Sequence, residues 1–415
     1  MAGSDAAADG VTVPLTPAVE DWTTDYDIFD AEYITDPYPI WADMRGECPV
    51  ARTDRWGGSF LPTRYEDVVE LARMVPVLSS HDPIVVRPPE GQQMVGSGGY
   101  HTVNAPPISA DPPVHTWSRR LILPAFSPRA VEAHETYTRA LAGRLVDGFI
   151  GDGRVDAAQQ YAQQIPPRVI AHLLGVDEGR AEEFTEWVRG VLEIGLSNPA
   201  VRAASREKIM NFFAGEVADR RANPKDDLIS ELMAAEIDGE PVSDEHIIGT
   251  CNLMLVAGID TTWSSIGSAL WHLAGHDDDR RRIAADLTLL PTAIEEFLRA
   301  YSPVTMARVV SEETEFRGCP MHVGDKVLMN FPGANRDPAV FENPDIVDID
   351  RQRNRHIAFG VGIHRCAGSN LARMEMVVAL EVFLTRIPEF RLEDPSAVTW
   401  AGGQVRGPRC LPLVF

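Results

Sequence analysis

The feature that most restricts the fold of this chain is one long, mostly apolar run with the composition of a single helix. The run reads SDEHIIGTCNLMLVAGIDTTWSSIGSALWHLAGH. Ser243 is a favourable N-cap, Asp244 and Glu245 suit the first turn, and Gly275 suits the end of the helix. The run predicts a helix of ~32 residues, ~48 Å long, which is enough to cross the whole molecule.

The rest of the chain predicts further helices and a smaller amount of strand. Amphipathic stretches recur between residues 114 and 300. The segments VVSEETEFRG and HVGDKVLMNF predict short strands joined by a tight turn at Gly324 and Asp325. A helix is expected at residues 368–386, and the chain ends as a strand. The predicted fold class is mainly α with small β-sheets.

Length and charge limit the classes of protein and partner. With 415 residues, 44% of them hydrophobic, the chain can bury a large core. Its net charge of -23 disfavours nucleic acid and anionic lipid as partners. The sequence contains no signal peptide and no uninterrupted apolar run of about 18 residues, so no membrane span is expected. Residues 1–20 are predicted to be a flexible N-terminal tail.

The cysteines indicate a reducing compartment. Their number is odd, their spacings are wide, and no C-x-x-C pair occurs. This pattern argues against a disulfide framework and a structural zinc site, and it favours a cytoplasmic location. The cysteines are Cys48, Cys251, Cys319, Cys366 and Cys410.

Two segments are unusual for purely structural sequence. Residues 81–113 are rich in Pro and Gly and too long for an ordinary connection, so a lid, a binding loop or a disordered segment is expected. Within the long helix, Gly258 is followed by Asp260, Thr261 and Thr262 in an otherwise apolar run. Glycine costs a helix about 1 kcal/mol relative to alanine. Taken alone, a hydrogen-bonded kink and a functional site explain this group equally well.

The most informative segment is FGVGIHRCAG, residues 359–368. Its three glycines permit tight turns around Cys366, which directly precedes a predicted helix. Backbone N–H groups at a helix N-terminus stabilise a thiolate, which could then ligate an iron ion. The competing interpretation, a dinucleotide-binding G-x-G-x-x-G, lacks the third glycine and the acidic residue of a βαβ unit.

This segment resembles the haem-binding signature of the cytochrome P450 family, F-G-x-G-x-H/R-x-C-x-G, at every fixed position. The resemblance implies that Cys366 is the proximal ligand of haem b (iron protoporphyrin IX) and that Phe359, Gly360 and Gly368 shape its surroundings. It extends from about Thr35 to the chain end. It implies the P450 fold, a single catalytic domain over residues 21–415 with the haem between a long distal helix and the helix that follows the cysteine loop.

The polar residues of the long helix acquire roles through the same resemblance. AGIDTT, residues 257–262, is similar to the oxygen-binding motif of the family. Ala257 and Gly258 would lie against the cofactor, and Gly258 would open a groove for dioxygen. Thr261 would hydrogen-bond to the bound oxygen, and Asp260 would relay protons from solvent. Thr261 and Asp260 are thus the predicted catalytic residues, and they favour oxygen activation.

Further charged residues match the family pattern. Glu296 and Arg299 form E-x-x-R, which implies a structural ion pair in the haem-side core. The cations implied as partners of the haem propionates, which need such partners when buried, are His115, Arg119, Arg308 and His364.

The resemblance also implies a separate electron donor. We expect an iron–sulfur ferredoxin with an NAD(P)H-dependent reductase. An acidic ferredoxin would be attracted to a basic patch near Cys366. Pairing of the same arginines with nearby carboxylates is an equally good interpretation. The arginines are Arg120, Arg353, Arg355, Arg365 and Arg373.

The expected reaction is insertion of one atom of O2 into a C–H bond, by hydroxylation or oxidative O-dealkylation. The expected pocket is apolar and uncharged, which favours a small to medium apolar organic substrate such as a small aromatic compound. Its residues are Met94, Val95, Val103, Leu253, Val256, Val304, Thr305 and Met306. Two alternatives stay open: a peroxide-driven peroxygenase and a non-catalytic haem-containing assembly partner.

Overall fold

The computed structural model describes residues 17–87 and 105–415, which form a mainly helical fold with small sheets. Among these residues the helices are α1 (Ala31–Thr35), α2 (Pro37–Glu47), α3 (Tyr65–Leu71), α4 (Val114–Ile122), α5 (Pro128–Glu132), α6 (Glu135–Phe149), α7 (Ile165–Leu174), α8 (Ala181–Leu192), α9 (Ile194–Ser197), α10 (Pro199–Ala222), α11 (Leu228–Ala234), α12 (Asp244–Gly275), α13 (Asp277–Ala285), α14 (Leu290–Ala300), α15 (Phe331–Ala334) and α16 (Ser369–Arg386).

The strands of the same residues are short. They are β1 (Val50–Thr53), β2 (Ser59–Pro62), β3 (Leu78–Ser79), β4 (Arg154–Asp156), β5 (Glu236–Ile237), β6 (Glu240–Pro241), β7 (Met306–Val310), β8 (Thr314–Phe316), β9 (Cys319–Met321), β10 (Lys326–Met329), β11 (Arg391–Leu392), β12 (Thr399–Ala401), β13 (Gly407–Cys410) and β14 (Pro412–Val414).

The predicted long helix is confirmed as α12, which spans 32 residues. The Ser243 side chain caps it by accepting a hydrogen bond from the backbone N–H of His246. Apolar side chains such as Ile259, Trp263 and Leu270 are buried around its circumference. A helix that is apolar on all sides is stable only inside a protein. Accordingly, α12 packs against α7, α8, α10 and α16, and its middle lies in the largest core cluster.

The main sheet differs in detail from the prediction. Instead of one turn at Gly324 and Asp325 joining two strands, the segment forms β7, β8, β9 and β10. Strands β8 and β9 pair across Arg317 and Gly318, which both have positive φ, whereas Gly324 turns the chain into β10. The five-stranded sheet has the order β1-β2-β10-β7-β3, and only its β2-β10 pair is parallel. It carries β7, which starts beside the cavity described below.

Residues 1–16, most of the predicted tail, lie outside the described residues. Among the described residues, none of the helices combines the length and apolar character needed to span a membrane.

Candidate active site

The cysteine loop is closed by its own backbone. Cys366 N–H donates to the carbonyl oxygen of Phe359 at 2.7 Å, which brings the two ends of the loop together. Gly360 and Gly362 lie between them with φ of 69° and 72°, a left-handed conformation that favours glycine. Gly368 then serves as the N-cap of α16, so Cys366 lies two residues before the N-cap of a helix of 18 residues.

The Cys366 thiol faces a cavity of about 780 Å³. The side chain is accessible from this cavity, but the protein on its other sides is dense enough to raise the pKa of the thiol by desolvation. The backbone N–H of Gly368 and the charge of Arg119 oppose that rise. Binding of a metal ion to a thiol releases its proton, so the loop is suited to form a thiolate when iron is bound.

The opposite wall of the cavity is the middle of α12. Ala257, Gly258, Thr261 and Thr262 all line it, so they face the same cavity as Cys366. The Thr261 hydroxyl donates to the carbonyl oxygen of Ala257 at 2.9 Å. Its oxygen keeps acceptor lone pairs after this bond forms. Thr261 is therefore in a position to accept a hydrogen bond from a molecule in the cavity.

Gly258 has a packing role that the sequence did not reveal. A Cβ added there would lie 2.5 Å from Cδ1 and 2.8 Å from Cγ1 of Ile170 on α7. Real Cβ atoms do not approach that closely, so glycine permits α7 to pack tightly against α12. Helix packing alone therefore accounts for a glycine at position 258, and the dioxygen groove stays a prediction.

Asp260 does not line the cavity. Its carboxylate is fully buried and accepts two hydrogen bonds from Nη2 of Arg409, at 2.8 and 3.1 Å, and one from Ser264 at 3.2 Å. Arg409 lies on β13 and also pairs with Glu193 at 2.8 Å. A proton relay through Asp260 stays a prediction, and it requires this ion pair to open.

The four side chains predicted to bind the haem propionates lie close together near one edge of the cavity. Arg308 and His364 line it, and Arg119 donates to the carbonyl oxygen of Arg365. His115 lies against His364, with ring centroids 4.3 Å apart. Burial lowers the pKa of Arg308 to about 10 and that of His364 to about 2.

Three of these side chains carry buried nitrogen atoms without a partner. Nε of Arg308, Nε2 of His364 and both ring nitrogens of His115 have no hydrogen-bond partner among the described residues. Leaving a buried polar group unpaired costs ~1–3 kcal/mol. These nitrogen atoms, near the edge of a cavity that also exposes a cysteine sulfur, fit an iron cofactor with anionic side groups.

Glu296 and Arg299 form a fully buried ion pair. Nε and Nη2 of Arg299 each donate to one carboxylate oxygen of Glu296 at 2.8 Å. Arg351 adds a further bond to Glu296 at 3.0 Å. Arg299 also donates to the carbonyl oxygens of Asn335, Pro344 and Ile346. The pair thus connects α14 to residues 335–354, which lead to the cysteine loop.

The predicted pocket agrees with the cavity in part. Leu253, Val256, Val304 and Met306 line it. Thr305 is a correction: it is buried, does not line the cavity, and donates its N–H to the carbonyl oxygen of Gln404 at 3.0 Å. Successive side chains of an extended segment point to opposite sides. Because Val304 and Met306 face the cavity, Thr305 between them faces away from it. Met94, Val95 and Val103 lie outside the described residues.

Sequence reasoning missed several polar residues in the cavity wall. Arg202 and Arg206 of α10 line it, as does Gln404. Glu375 of α16 lines it too, with both carboxylate oxygens buried and without a hydrogen-bond partner among the described residues. Burial raises the pKa of Glu375 well above its ordinary value. The sequence could have indicated Glu375, because it is an acidic residue on the buried face of a helix. It could not have indicated the two arginines, which resemble ordinary surface cations.

The predicted basic patch is smaller than expected. Arg373 forms a bidentate ion pair with Glu295, at 2.5 and 2.8 Å. Arg120, Arg353, Arg355 and Arg365 are exposed, and their side chains form no ion pair with any residue that the structure describes. Internal pairing therefore accounts for one of the five arginines.

Comparison with known proteins gives the family. A family model described as "Cytochrome P450" matches residues 198–399. The polyketide biosynthesis cytochrome P450 PksS of Bacillus subtilis is 31% identical over 92% of this chain and 96% of its own length. A steroid C26-monooxygenase of Mycolicibacterium smegmatis is 34% identical over 90% of this chain and 91% of its own length. The crystal structure of CYP101J2 superposes with a TM-score of 0.84 at 28% identity, covering 95% of this chain and 97% of that one.

The chain belongs to the cytochrome P450 family and is a monooxygenase. Membership implies a haem cofactor, an organic substrate, O2 and redox partners.

Proposed function

We propose that this enzyme oxidises a C–H bond of a small to medium organic molecule with a largely apolar body, aromatic compounds included. The products are a hydroxylated molecule or, where the carbon carries an ether oxygen, the products of O-dealkylation. The observation that carries the proposal is the single cavity that Cys366, Thr261 and mainly apolar side chains share. Such a cavity binds an apolar molecule beside the reactive centre.

Different residues around the cavity would bind different parts of the cofactor. Cys366 would hold the iron of haem b through its thiolate, and Arg308, His364, His115 and Arg119 would bind the propionates. The haem would supply the oxygen chemistry at this site.

The distal side chains manage protons and water. The Thr261 hydroxyl accepts a hydrogen bond in the cavity and transfers a proton. Asp260 delivers protons after its ion pair with Arg409 opens. Leu253, Val256, Val304 and Met306 exclude water from the reacting carbon. Positioned hydroxyl and carboxyl groups are effective general acids at such sites.

An iron–sulfur ferredoxin with an NAD(P)H-dependent reductase supplies the electrons in this proposal. The support is the group of exposed arginines near the cysteine loop, Arg120, Arg353, Arg355 and Arg365, on a protein of net charge -23. Complementary charge mainly speeds association.

The first test is the absorption spectrum of the reduced, carbon monoxide-bound holoenzyme. A red-shifted Soret band, typical of thiolate ligation, is expected for the wild type and not for Cys366→Ala. Cys251→Ala, at a buried cysteine outside the cavity lining, is the matched control and should keep the band. A wild-type spectrum typical of imidazole ligation would contradict the assignment of Cys366.

The second test separates the possible oxidants. Product formation is compared between reduced ferredoxin with O2 and hydrogen peroxide alone. Turnover with ferredoxin supports the monooxygenase reaction. Turnover with peroxide and none with reduced ferredoxin would identify a peroxygenase. No turnover and no spectral shift across a broad substrate panel would favour an assembly partner.

A further inference from the structure

One end of the cavity is cationic. Arg202 and Arg206 lie four residues apart on α10, so their side chains share one face of that helix, and both line the cavity. Arg202 is 5% exposed, and Arg206 is half-buried. These residues bring charge into a cavity whose other wall, on α12, is formed by Leu253, Val256 and Ala257.

Arg206 makes no hydrogen bond or ion pair with any residue that the structure describes. Burial lowers the pKa of Arg206, and the neighbouring charge of Arg202 lowers it further. Like charges four residues apart on a helix destabilise it by ~0.2–0.5 kcal/mol. An arginine with a purely structural role would be expected to form an ion pair or hydrogen bonds that offset burial and repulsion.

The carboxylate on this part of the wall is already paired. Asp82 lines the cavity and accepts a hydrogen bond from the buried ammonium of Lys326 at 2.7 Å. Arg202 is close enough to lower the pKa of Lys326. Arg202, Arg206 and Lys326 are thus three cations close to the carboxylate of Asp82, although the whole chain carries a net charge of -23.

We propose that the substrate is an amphipathic carboxylate whose anionic group binds to Arg206, with Arg202 adding to the positive potential. The apolar body of the substrate then lies along α12 and presents a carbon atom to the space between Thr261 and Cys366. This inference rests on the proposed function and narrows its substrate class from apolar molecules to organic acids.

The chemistry of arginine supports a carboxylate in particular. The planar guanidinium offers parallel N–H donors that match the two oxygens of a carboxylate. A neutral amide of the same shape provides one acceptor and no charge. Beside an arginine in a cavity lined mainly by apolar side chains, that difference favours the acid.

The test compares acids with their amides on intact holoenzyme. The probes are 4-methoxybenzoate with 4-methoxybenzamide and dodecanoate with dodecanamide, so that an aromatic and a long aliphatic body are both sampled. Dissociation constants are measured by titration calorimetry and by the change in haem absorbance. The wild type is expected to bind at least one acid about tenfold more tightly than its amide, as one charge-assisted bidentate contact would provide.

Variants at position 206 assign the preference. Arg206→Gln should weaken acid binding about tenfold and leave amide binding nearly unchanged, whereas Arg206→Lys should retain part of the preference. Lys208→Gln is the matched control, because Lys208 is an exposed cation of the same helix that pairs with Glu186 outside the cavity lining. Its acid preference should equal that of the wild type.

Thermal unfolding of ligand-free holoenzyme is a second measurement that needs no substrate. Arg206→Gln should not lower Tm, because the half-buried guanidinium pairs with none of residues 17–87 and 105–415. A lower Tm would indicate a structural arginine and overturn the inference. Equal affinity of the wild type for every acid and its amide, or a preference that survives Arg206→Gln, would overturn it as well.

These outcomes are distinct from failure of the proposed function. If the wild type showed no preference for acids but had an intact thiolate spectrum and oxidised the amides, only the inference of a carboxylate substrate would fail. A wild-type holoenzyme without the thiolate spectrum would contradict the proposed function, whatever the calorimetry shows.

Discussion

At the scale of single residues, Thr261 is the hydroxyl on which the proposed oxygen chemistry depends most. Thr261→Ala should retain haem and its thiolate spectrum, because the side chain lies on the wall opposite Cys366. Proton delivery to the bound oxygen should then be slower, and electrons from NAD(P)H should be diverted to formation of hydrogen peroxide. We expect the ratio of product formed to NAD(P)H consumed to fall at least about tenfold, because general acid catalysis typically contributes about 10²–10⁴-fold.

Thr250→Ala is the matched control for this experiment. Thr250 lies on the same helix and donates to the carbonyl oxygen of His246 at 2.8 Å, the same type of bond that Thr261 makes to Ala257. It does not line the cavity. Equal coupling in wild type and Thr261→Ala would contradict the proton-delivery role, and equal loss in both variants would indicate a general effect on the helix.

The Glu295 carboxylate gives a prediction about pH. Burial alone would raise its pKa, but Arg373 and His356 bind it and lower that pKa to about 2. A carboxyl group whose pKa is depressed in the folded protein stabilises it above the unfolded pKa, near 4.5, and loses this contribution as the pH falls toward 2. Glu295→Gln should therefore be destabilised at pH 7 by about 1–3 kcal/mol.

Urea unfolding at a series of pH values checks this linkage. The difference in unfolding free energy between wild type and Glu295→Gln should shrink as the pH decreases below about 4.5. A difference that stays constant down to pH 3 would show that the loss at neutral pH comes from packing and not from charge.

At the scale of elements, the Glu296–Arg299 pair joins α14 to the chain that leads into the cysteine loop. Removing one partner of a buried ion pair leaves an uncompensated charge and costs about 3–5 kcal/mol. Glu296→Gln should thus lower the urea midpoint strongly and reduce haem retention. Glu183→Gln is the control, because Glu183 in the first turn of α8 pairs at the same spacing with Arg180, the N-cap of that helix. It should cost at most about 1 kcal/mol. Equal losses would contradict the bracing role.

The elements differ in how far their local sequence determines them. The start of α12 was predicted correctly because the Ser243 cap and the acidic first turn are local signals. The strands after Val304 were predicted less well, since the turn at Arg317 and Gly318 depends on backbone conformations that the pattern of apolar residues does not encode. Regular periodicity thus predicted elements better than it predicted turns.

Contacts between distant elements account for most of what the sequence did not reveal about the site. Cys366 and Thr261 were identified as candidates from short motifs, and they do face one cavity. The partner of Asp260 was not predictable, because Arg409 lies 149 residues further along the chain. The positions of Arg202 and Arg206 follow from how α10 packs over α12, and no short motif specifies that packing.

At the scale of the whole molecule, the distribution of charge should determine how an electron donor docks. An acidic donor is repelled by a net charge of -23 at long range. The exposed arginines near the cysteine loop, Arg120, Arg353, Arg355 and Arg365, offer it a local attraction. Because the Debye length is about 10 Å at 0.1 M salt, both effects weaken as the salt concentration rises.

Charge reversal within this group gives the last prediction. Arg355→Glu should slow reduction of the enzyme by an acidic ferredoxin about tenfold at low salt, because association depends on local charge complementarity, and the defect should diminish at high salt. Stopped-flow reduction kinetics measure the rate, and dithionite reduction checks the haem independently. Arg391→Glu is the matched control: Arg391 is exposed on β11, away from the cysteine loop in sequence, and forms no ion pair with a residue that the structure describes. If both reversals slowed reduction equally, net charge and not a docking face would govern the encounter, and the donor surface would have to be sought elsewhere.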